Sequence, residues 1–211
     1  SGADNILILA GSQQGLYLIN KVFIEPGDYV IVDAPSYIGA IQVFQSAGAR
    51  ILTLPCSERL PFELLEDYLI RYRPKLLYTI PTFHNPTGRV LSVNDRRQLL
   101  KLAAKHRLIV VEDDPYSELY YDHQPPPSLK ALDHYGGVLY LGTFSKIVFP
   151  GLRIGWLGRF DRVDLDDRVT LRPQSYTDPR RQGFGTRAEY GVDDGLWLVL
   201  RLLARQQHGF A

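Results

Sequence analysis

Lys146 stands in the run Gly142-Thr143-Phe144-Ser145-Lys146, behind the apolar stretch Val138 to Leu141 and seven residues ahead of Arg153. A lysine amine beside small hydroxyl residues at the end of a strand can form an imine with an aldehyde cofactor. Once liberated, the same amine can serve as a general base. An arginine one short loop away offers a planar fork suited to phosphate oxygens, and Thr143 and Ser145 add hydroxyl donors for the same anion. A Ser-Lys pair alone carries no information, because most lysines are solvated surface residues. The apolar run before it and the arginine after it are what give this lysine a chemical reading.

Three upstream stretches supply further groups. Gly11-Ser12-Gln13-Gln14 follows one apolar run and opens a helical pattern. Backbone amides at a helix start, aided by its dipole, bind anions, and Ser12 adds a hydroxyl. The same letters also describe an ordinary strand-to-helix turn with Ser12 as N-cap. Pro35-Ser36-Tyr37 comes directly after the second apolar run, at the strand end where open α/β sheets bind ligands. There the Tyr37 ring could stack on a flat heterocycle or be a half-buried loop residue, one of 13 tyrosines. In His84-Asn85-Pro86-Thr87-Gly88 the Asn85 amide can donate to a phenolate oxygen, although Pro-Thr-Gly is also plain turn chemistry. His84 reads as a loop residue behind the site. In Glu112-Asp113-Asp114-Pro115-Tyr116 a carboxylate can hold a pyridine nitrogen protonated, making the ring an electron sink, with Tyr116 tuning its oxygen. An acidic strand end without function, or a Mg²⁺ site, are the other readings of that run.

These groups need a frame. Short apolar runs alternate with helical spacing, which predicts an α/β sheet with crossover helices. The expected strands are Ile6–Ala10, Tyr29–Asp33, Arg50–Leu54, Lys75–Ile80, Leu108–Glu112, Val138–Leu141 and Ile154–Leu157. Most are continuous apolar runs, as in strands covered on both faces. Helices are expected at Gln13–Phe23, Ile38–Ala47, Phe62–Tyr72 and Val93–His106, the last with Ser92 as N-cap and Asp95 in its first turn. Beyond Arg159 the chain turns charged and irregular, with an amphipathic pattern only at Leu196–Ala204. The composition is that of an ordinary globular chain, 45% hydrophobic and 22% charged, and a net charge of +1 gives no global attraction for nucleic acid or an anionic membrane. The lone Cys56 excludes an intramolecular disulfide and a cysteine-rich zinc site, and it fits a reducing, cytoplasmic setting as a small loop or core residue. No run is long and apolar enough to span a membrane. A first strand starting near residue 1, with no initiator methionine, is expected of a piece of something longer.

In this order and spacing the four stretches resemble the pyridoxal-phosphate (PLP) site of the class I/II aminotransferases. The similarity runs from about Asn5 to Leu157. Its style, Tyr140-Leu141-Gly142-Thr143-Phe144-Ser145-Lys146 with Phe149-Pro150-Gly151-Leu152-Arg153, looks like the aminoadipate-type enzymes and the aminotransferase-like domain of GntR/MocR-type regulators. The resemblance implies a three-layer α/β sandwich with a mostly parallel sheet: the fold type I large domain, truncated, over 1–158. Residues 159–211 form a divergent tail leading toward a small domain. It implies that Ser12, Gln13, Gln14, Thr143, Ser145 and Arg153 hold the phosphate. Tyr37 stacks on the ring, Asn85 and Tyr116 meet the ring oxygen, and Asp113 rather than Asp114 meets the ring nitrogen. Lys146 forms the Schiff base. The activity implied is amino transfer between an amino acid and a 2-oxo acid by a homodimer whose sites borrow residues from the neighbouring subunit. No metal is implied. The alternative is an effector-sensing domain that binds PLP without turnover. Two features depart from the family pattern: no winged helix-turn-helix lies within the sequence, and Arg180, Arg181, Arg187, Arg201 and Arg205 match no pattern for a substrate-carboxylate arginine.

Overall fold

The computed structural model describes residues 5–158. The amphipathic pattern at Leu196–Ala204 and the expected tail over 159–211 lie outside the described residues. Seven strands form one sheet: β1 (Ile6–Leu9), β2 (Tyr29–Ala34), β3 (Arg50–Pro55), β4 (Leu76–Thr79), β5 (Ile109–Asp114), β6 (Val138–Thr143) and β7 (Gly155–Gly158). Their order across the sheet is β1-β7-β6-β5-β4-β2-β3. Neighbours from β3 to β6 pair in parallel, while β7 runs antiparallel to both β6 and β1. This is the mostly parallel α/β sheet expected from the sequence.

Helices α1 (Ser12–Phe23), α2 (Ile38–Ser46), α3 (Phe62–Arg71) and α4 (Val93–His106) fall within a residue or so of their predicted spans, and a short α5 (Leu129–Leu132) was not foreseen. On one face Ile31, Leu77, Val110 and Val138 pack with Leu65 and Leu69 of α3, Leu99 and Ala103 of α4, and Leu129 of α5. Alternation along each strand sends the next residues to the opposite face. There the Phe44 ring of α2 meets the Tyr78 ring edge-on, with centroids 6.1 Å apart. Central strands β4 and β5 are buried along their whole length, whereas edge strands β1 and β3 are partly exposed. Continuous apolar runs mark the covered interior, and mixed ones mark the rims.

Ser92 caps α4 as predicted: its Oγ accepts from the Asp95 amide at 3.1 Å and donates to the Asp95 carboxylate at 3.0 Å. Ser12 does not cap α1. Gly11 occupies the N-cap with φ 92°, a conformation glycine adopts without a Cβ penalty, and Ser12 is the first helical residue. The strand ending at Glu112 in the sequence reading in fact runs on through Asp114. Asp113 is therefore a fixed strand residue, not a loop residue following the strand. β6 likewise extends through Thr143.

Candidate functional site

At the carboxyl ends of β4, β5 and β6, on the α1/α2 face, the chain gathers most of the residues singled out above. The innermost is Asp113, 3% exposed. Its Oδ2 accepts a 2.7 Å hydrogen bond from the Tyr78 hydroxyl, while its Oδ1 is buried with no partner among the described residues. Burial pushes the Asp113 carboxyl up to about 6, against the downward pull of the Tyr78 hydrogen bond. The Tyr78 phenol is itself held well above its ordinary value, first by burial and then by the Asp113 charge, so it remains a donor. Asp114 is differently occupied: its oxygens accept from the Ser117 amide at 3.1 Å and the Tyr140 hydroxyl at 2.9 Å. Of the two aspartates, only Asp113 keeps an open oxygen. Among the described residues no cluster of His, Cys, Asp and Glu could hold a metal ion.

Asn85 and Tyr116 come together beside this acid, with the amide Nδ2 3.5 Å from the Tyr116 hydroxyl. Burial, and then the nearby Asp113 charge, raise the Tyr116 phenol. The loop bearing Asn85 is held at both ends. The Leu91 amide donates to the Pro81 carbonyl at 2.8 Å, and the fully buried Arg96 of α4 donates to Leu91 O, Pro81 O and Thr82 Oγ1, each at 2.9 Å. A third nitrogen of Arg96 reaches the Pro127 carbonyl at 3.2 Å. Within the loop Phe83 adopts φ 51°, a left-handed conformation costly for a non-glycine residue. Behind Asn85, His84 is buried with Nε2 3.4 Å from Asp33, whose carboxylate accepts from Thr79 and Arg89. The His84 Nδ1 lies 2.9 Å from Thr87 Oγ1, and Cys56 sits at the margin of the same cluster, 3.3 Å from that hydroxyl. His84 is a buried loop residue and Cys56 a half-buried one.

The start of α1 and the loop after β6 form a second group. Arg153 adopts φ 50° and donates to the Ala10 carbonyl at 3.2 Å, and a Cβ on Gly11 would stand 3.2 Å from its guanidinium. Gly155 allows this closeness, since a Cβ there would lie 2.7 Å from the Gly11 backbone. Thr143 Oγ1 contacts Ser145 Oγ at 3.1 Å and Ile154 O at 3.2 Å, and it accepts from the Ser145 amide. The helix start, Arg153, Thr143 and Ser145 thus belong to two adjoining turns. Gln14 turns back instead: its Oε1 accepts from the Ala10 amide at 2.7 Å. Gln13 accepts from the Tyr37 hydroxyl at 3.2 Å, and the Tyr37 ring lies back over Gly39, where a Cβ would be 2.6 Å away. Lys146 follows on the exposed surface, with no hydrogen bond or ion pair among the described residues.

A family model for the class I and II aminotransferases matches residues 1–164. The chain belongs to that family. It is 47% identical over 157 residues to the 2-aminoadipate transaminase of Thermus thermophilus, covering 72% of this chain and 40% of that protein. An uncharacterized HTH-type transcriptional regulator of Bacillus subtilis is 45% identical over 153 residues, covering 72% of this chain and 32% of its own. Among solved structures, the Thermus thermophilus alpha-aminoadipate aminotransferase LysN, complexed with N-(5'-phosphopyridoxyl)-L-leucine, superimposes with a TM-score of 0.72 at 46% identity. That superposition covers 74% of this chain and 41% of that one. The chain thus spans about two-fifths or less of the length of these relatives.

Within this aminotransferase frame, sequence reasoning passed over Tyr78 and Arg96. Tyr78 carried one available signal, a phenol inside the otherwise apolar strand start Leu76-Leu77, because a buried hydroxyl needs a partner. Arg96 reads as one more charge on a polar helix face. Only the fold reveals that it points inward.

Proposed function

We propose that the whole protein is a PLP-dependent aminotransferase that moves an amino group between an amino acid and a 2-oxo acid. The observation that carries this is the open, buried Oδ1 of Asp113. An acid so enclosed and half-satisfied lacks one hydrogen-bond donor, and a protonated ring nitrogen supplies a donor together with a compensating positive charge. PLP, when bound, provides an aldehyde to hold an amine and a cationic ring to accept electron density.

The chain's own residues divide the remaining work. Asp113 holds the ring proton, and Asn85 and Tyr116 present an amide and a hydroxyl to the ring oxygen. Ser12, Gln13, Thr143, Ser145 and Arg153 would hold the phosphate near the start of α1, where the helix dipole favours an anion. Gln14 braces that turn through Ala10, and Tyr37 would stack over the ring. Lys146 would hold the cofactor's aldehyde carbon and, once freed by substrate, would take the proton from the substrate carbon and deliver it to the cofactor. The protein works as a homodimer, and its substrates are small amino and oxo acids. Borohydride reduction of the PLP-loaded protein followed by peptide mapping tests the assignment: a pyridoxyl group on Lys146 is expected, and its absence from that side chain overturns the reading.

A second reading rests on the transcriptional regulators among the relatives, one of them 45% identical. In it the same site takes PLP, or its adduct with an amino acid, as a signal and completes no turnover. Incubating the full-length protein with amino donors and PLP separates the two. An enzyme converts bound cofactor to its amine form and releases an oxo acid; a sensor does not release one.

A further inference from the structure

Asp113 can serve a ring nitrogen only if its carboxylate keeps one orientation and remains ionised. Packing alone does not ensure either, since a carboxylate rotates about its terminal bond with little preference. One contact fixes it: the Tyr78 hydroxyl donates to Oδ2 at 2.7 Å, with Tyr78 1% and Asp113 3% exposed. Tyr78 is in turn held by its strand, paired with Val111 of β5 and Val32 of β2, and by the Phe44 ring packed against its edge. We propose that Tyr78 is a positioning residue for cofactor chemistry, reserving Oδ1 of Asp113 for the cofactor nitrogen and keeping the acid ionised so that the ring stays protonated. This rests on the PLP reading given above.

The electrostatics point the same way. The hydrogen bond from Tyr78 is the one influence that lowers the proton affinity of Asp113 against its burial and the neighbouring Asp114. Tyr37, Tyr116 and Asp33 are the other titratable groups turned toward this pair. Without the hydroxyl, burial acts on Asp113 unopposed and the acid retains its proton. A neutral acid cannot stabilise a cationic ring, and Oδ2 is left without a donor.

The test uses the full-length protein with PLP, comparing Tyr78→Phe, Asp113→Asn and the double variant. Phenylalanine preserves the ring that packs on Phe44 and removes only the hydroxyl. Tyr78→Phe is expected to bind PLP about tenfold more weakly. It should also raise the pH midpoint of the bound cofactor's visible absorbance by about half a unit or more, because a less cationic ring lets the nitrogen shared with Lys146 keep its proton to higher pH. In the Asp113→Asn background, Tyr78→Phe should move the midpoint no further, since a residue acting through Asp113 has nothing left to act on. An unshifted midpoint in Tyr78→Phe, or an equal shift in both backgrounds, overturns the proposal and leaves the PLP reading standing. Wild-type protein that takes no pyridoxyl label on Lys146 removes the reading and this inference together. A merely structural tyrosine would lower the melting midpoint of the cofactor-free protein and leave the absorbance titration where it was.

Discussion

The acid end of the site and the lysine end are built in opposite ways. Asp113, Tyr78 and Thr79 lie in the covered interior of the sheet, each at most 3% exposed, and every one is tied by a hydrogen bond to another strand or its own neighbour across it. Lys146, by contrast, is exposed, and around it Phe144, Val148, Phe149 and Leu152 show 37%, 65%, 61% and 47% of their surface. Among the described residues the interior end lacks only a donor to Asp113 Oδ1, whereas the rim presents apolar side chains outward. On the proposed function, the groups that would hold a ring in one protonation state are fixed by the sheet itself, while the lysine proposed as nucleophile stands exposed.

The largest effect separates the ends chemically. Lys146→Ala should abolish the visible absorbance of bound PLP and all amino transfer while leaving the thermal midpoint of the cofactor-free protein unchanged, because an exposed side chain contributes little to folding. Retained visible absorbance would break the comparison at its outer end. Next comes the support of the inner end. Arg96→Leu takes away the donor to the Leu91 and Pro127 carbonyls, leaves Pro81 only the Leu91 amide, and removes the cation facing Glu112, 3.9 Å away. We expect a loss of about 3–5 kcal/mol in urea unfolding, with weaker PLP binding because the Asn85 loop loses its tie. Stability within about 1 kcal/mol of wild type would show that the loop is held otherwise.

The buried acid also predicts a pH dependence. Asp113 titrates near 6 in the folded protein against 3.8 for the free side chain, so the folded state binds more protons between those values. The associated stability is therefore fully present below about pH 3.8 and is lost as pH rises through about 6, a change on the order of 3 kcal/mol. Glu112, raised to about 7 by burial despite the Leu129 and Lys130 amides on its carboxylate, contributes with the same sign. The difference between wild type and Asp113→Asn isolates the first term. Cofactor-free Asp113→Asn should lose less stability between pH 4 and 7, and PLP should shrink that difference by favouring the ionised wild-type acid. Parallel pH curves for the two proteins would mean that Asp113 is not burdened by burial at all.

What could be read beforehand follows the same division. Continuous apolar strands and helical spacing are strong signals, and all seven strands fall within two residues of expectation, because burial on both faces leaves little choice of residue. Asn85, Asp113, Lys146 and Arg153 were singled out from the motifs around them together with the family resemblance. The Tyr78 hydrogen bond was not, since it joins residues 35 apart in sequence and depends on β4 and β5 being adjacent, which no local pattern encodes. For the same reason the strand containing Asp113 was ended two residues early: two acids in succession look like a loop until Tyr140 and Tyr78 are seen to take one each. Gly11 rather than Ser12 caps α1 because Gly155 and Arg153 crowd the turn from a distant part of the chain.

Smaller effects sharpen the contrast. Ser92→Ala removes the α4 cap and should cost about 1 kcal/mol in chemical unfolding, without changing PLP affinity, since Arg96 still anchors the loop. At the rim, Phe149→Ser replaces a ring that is 61% exposed and has little contact to lose. Its stability should stay within about 0.5 kcal/mol of wild type, measured on this 211-residue chain. A loss several times larger would mean that the lysine end is braced by packing as the acid end is, and the exposure of Lys146 would then no longer distinguish the two.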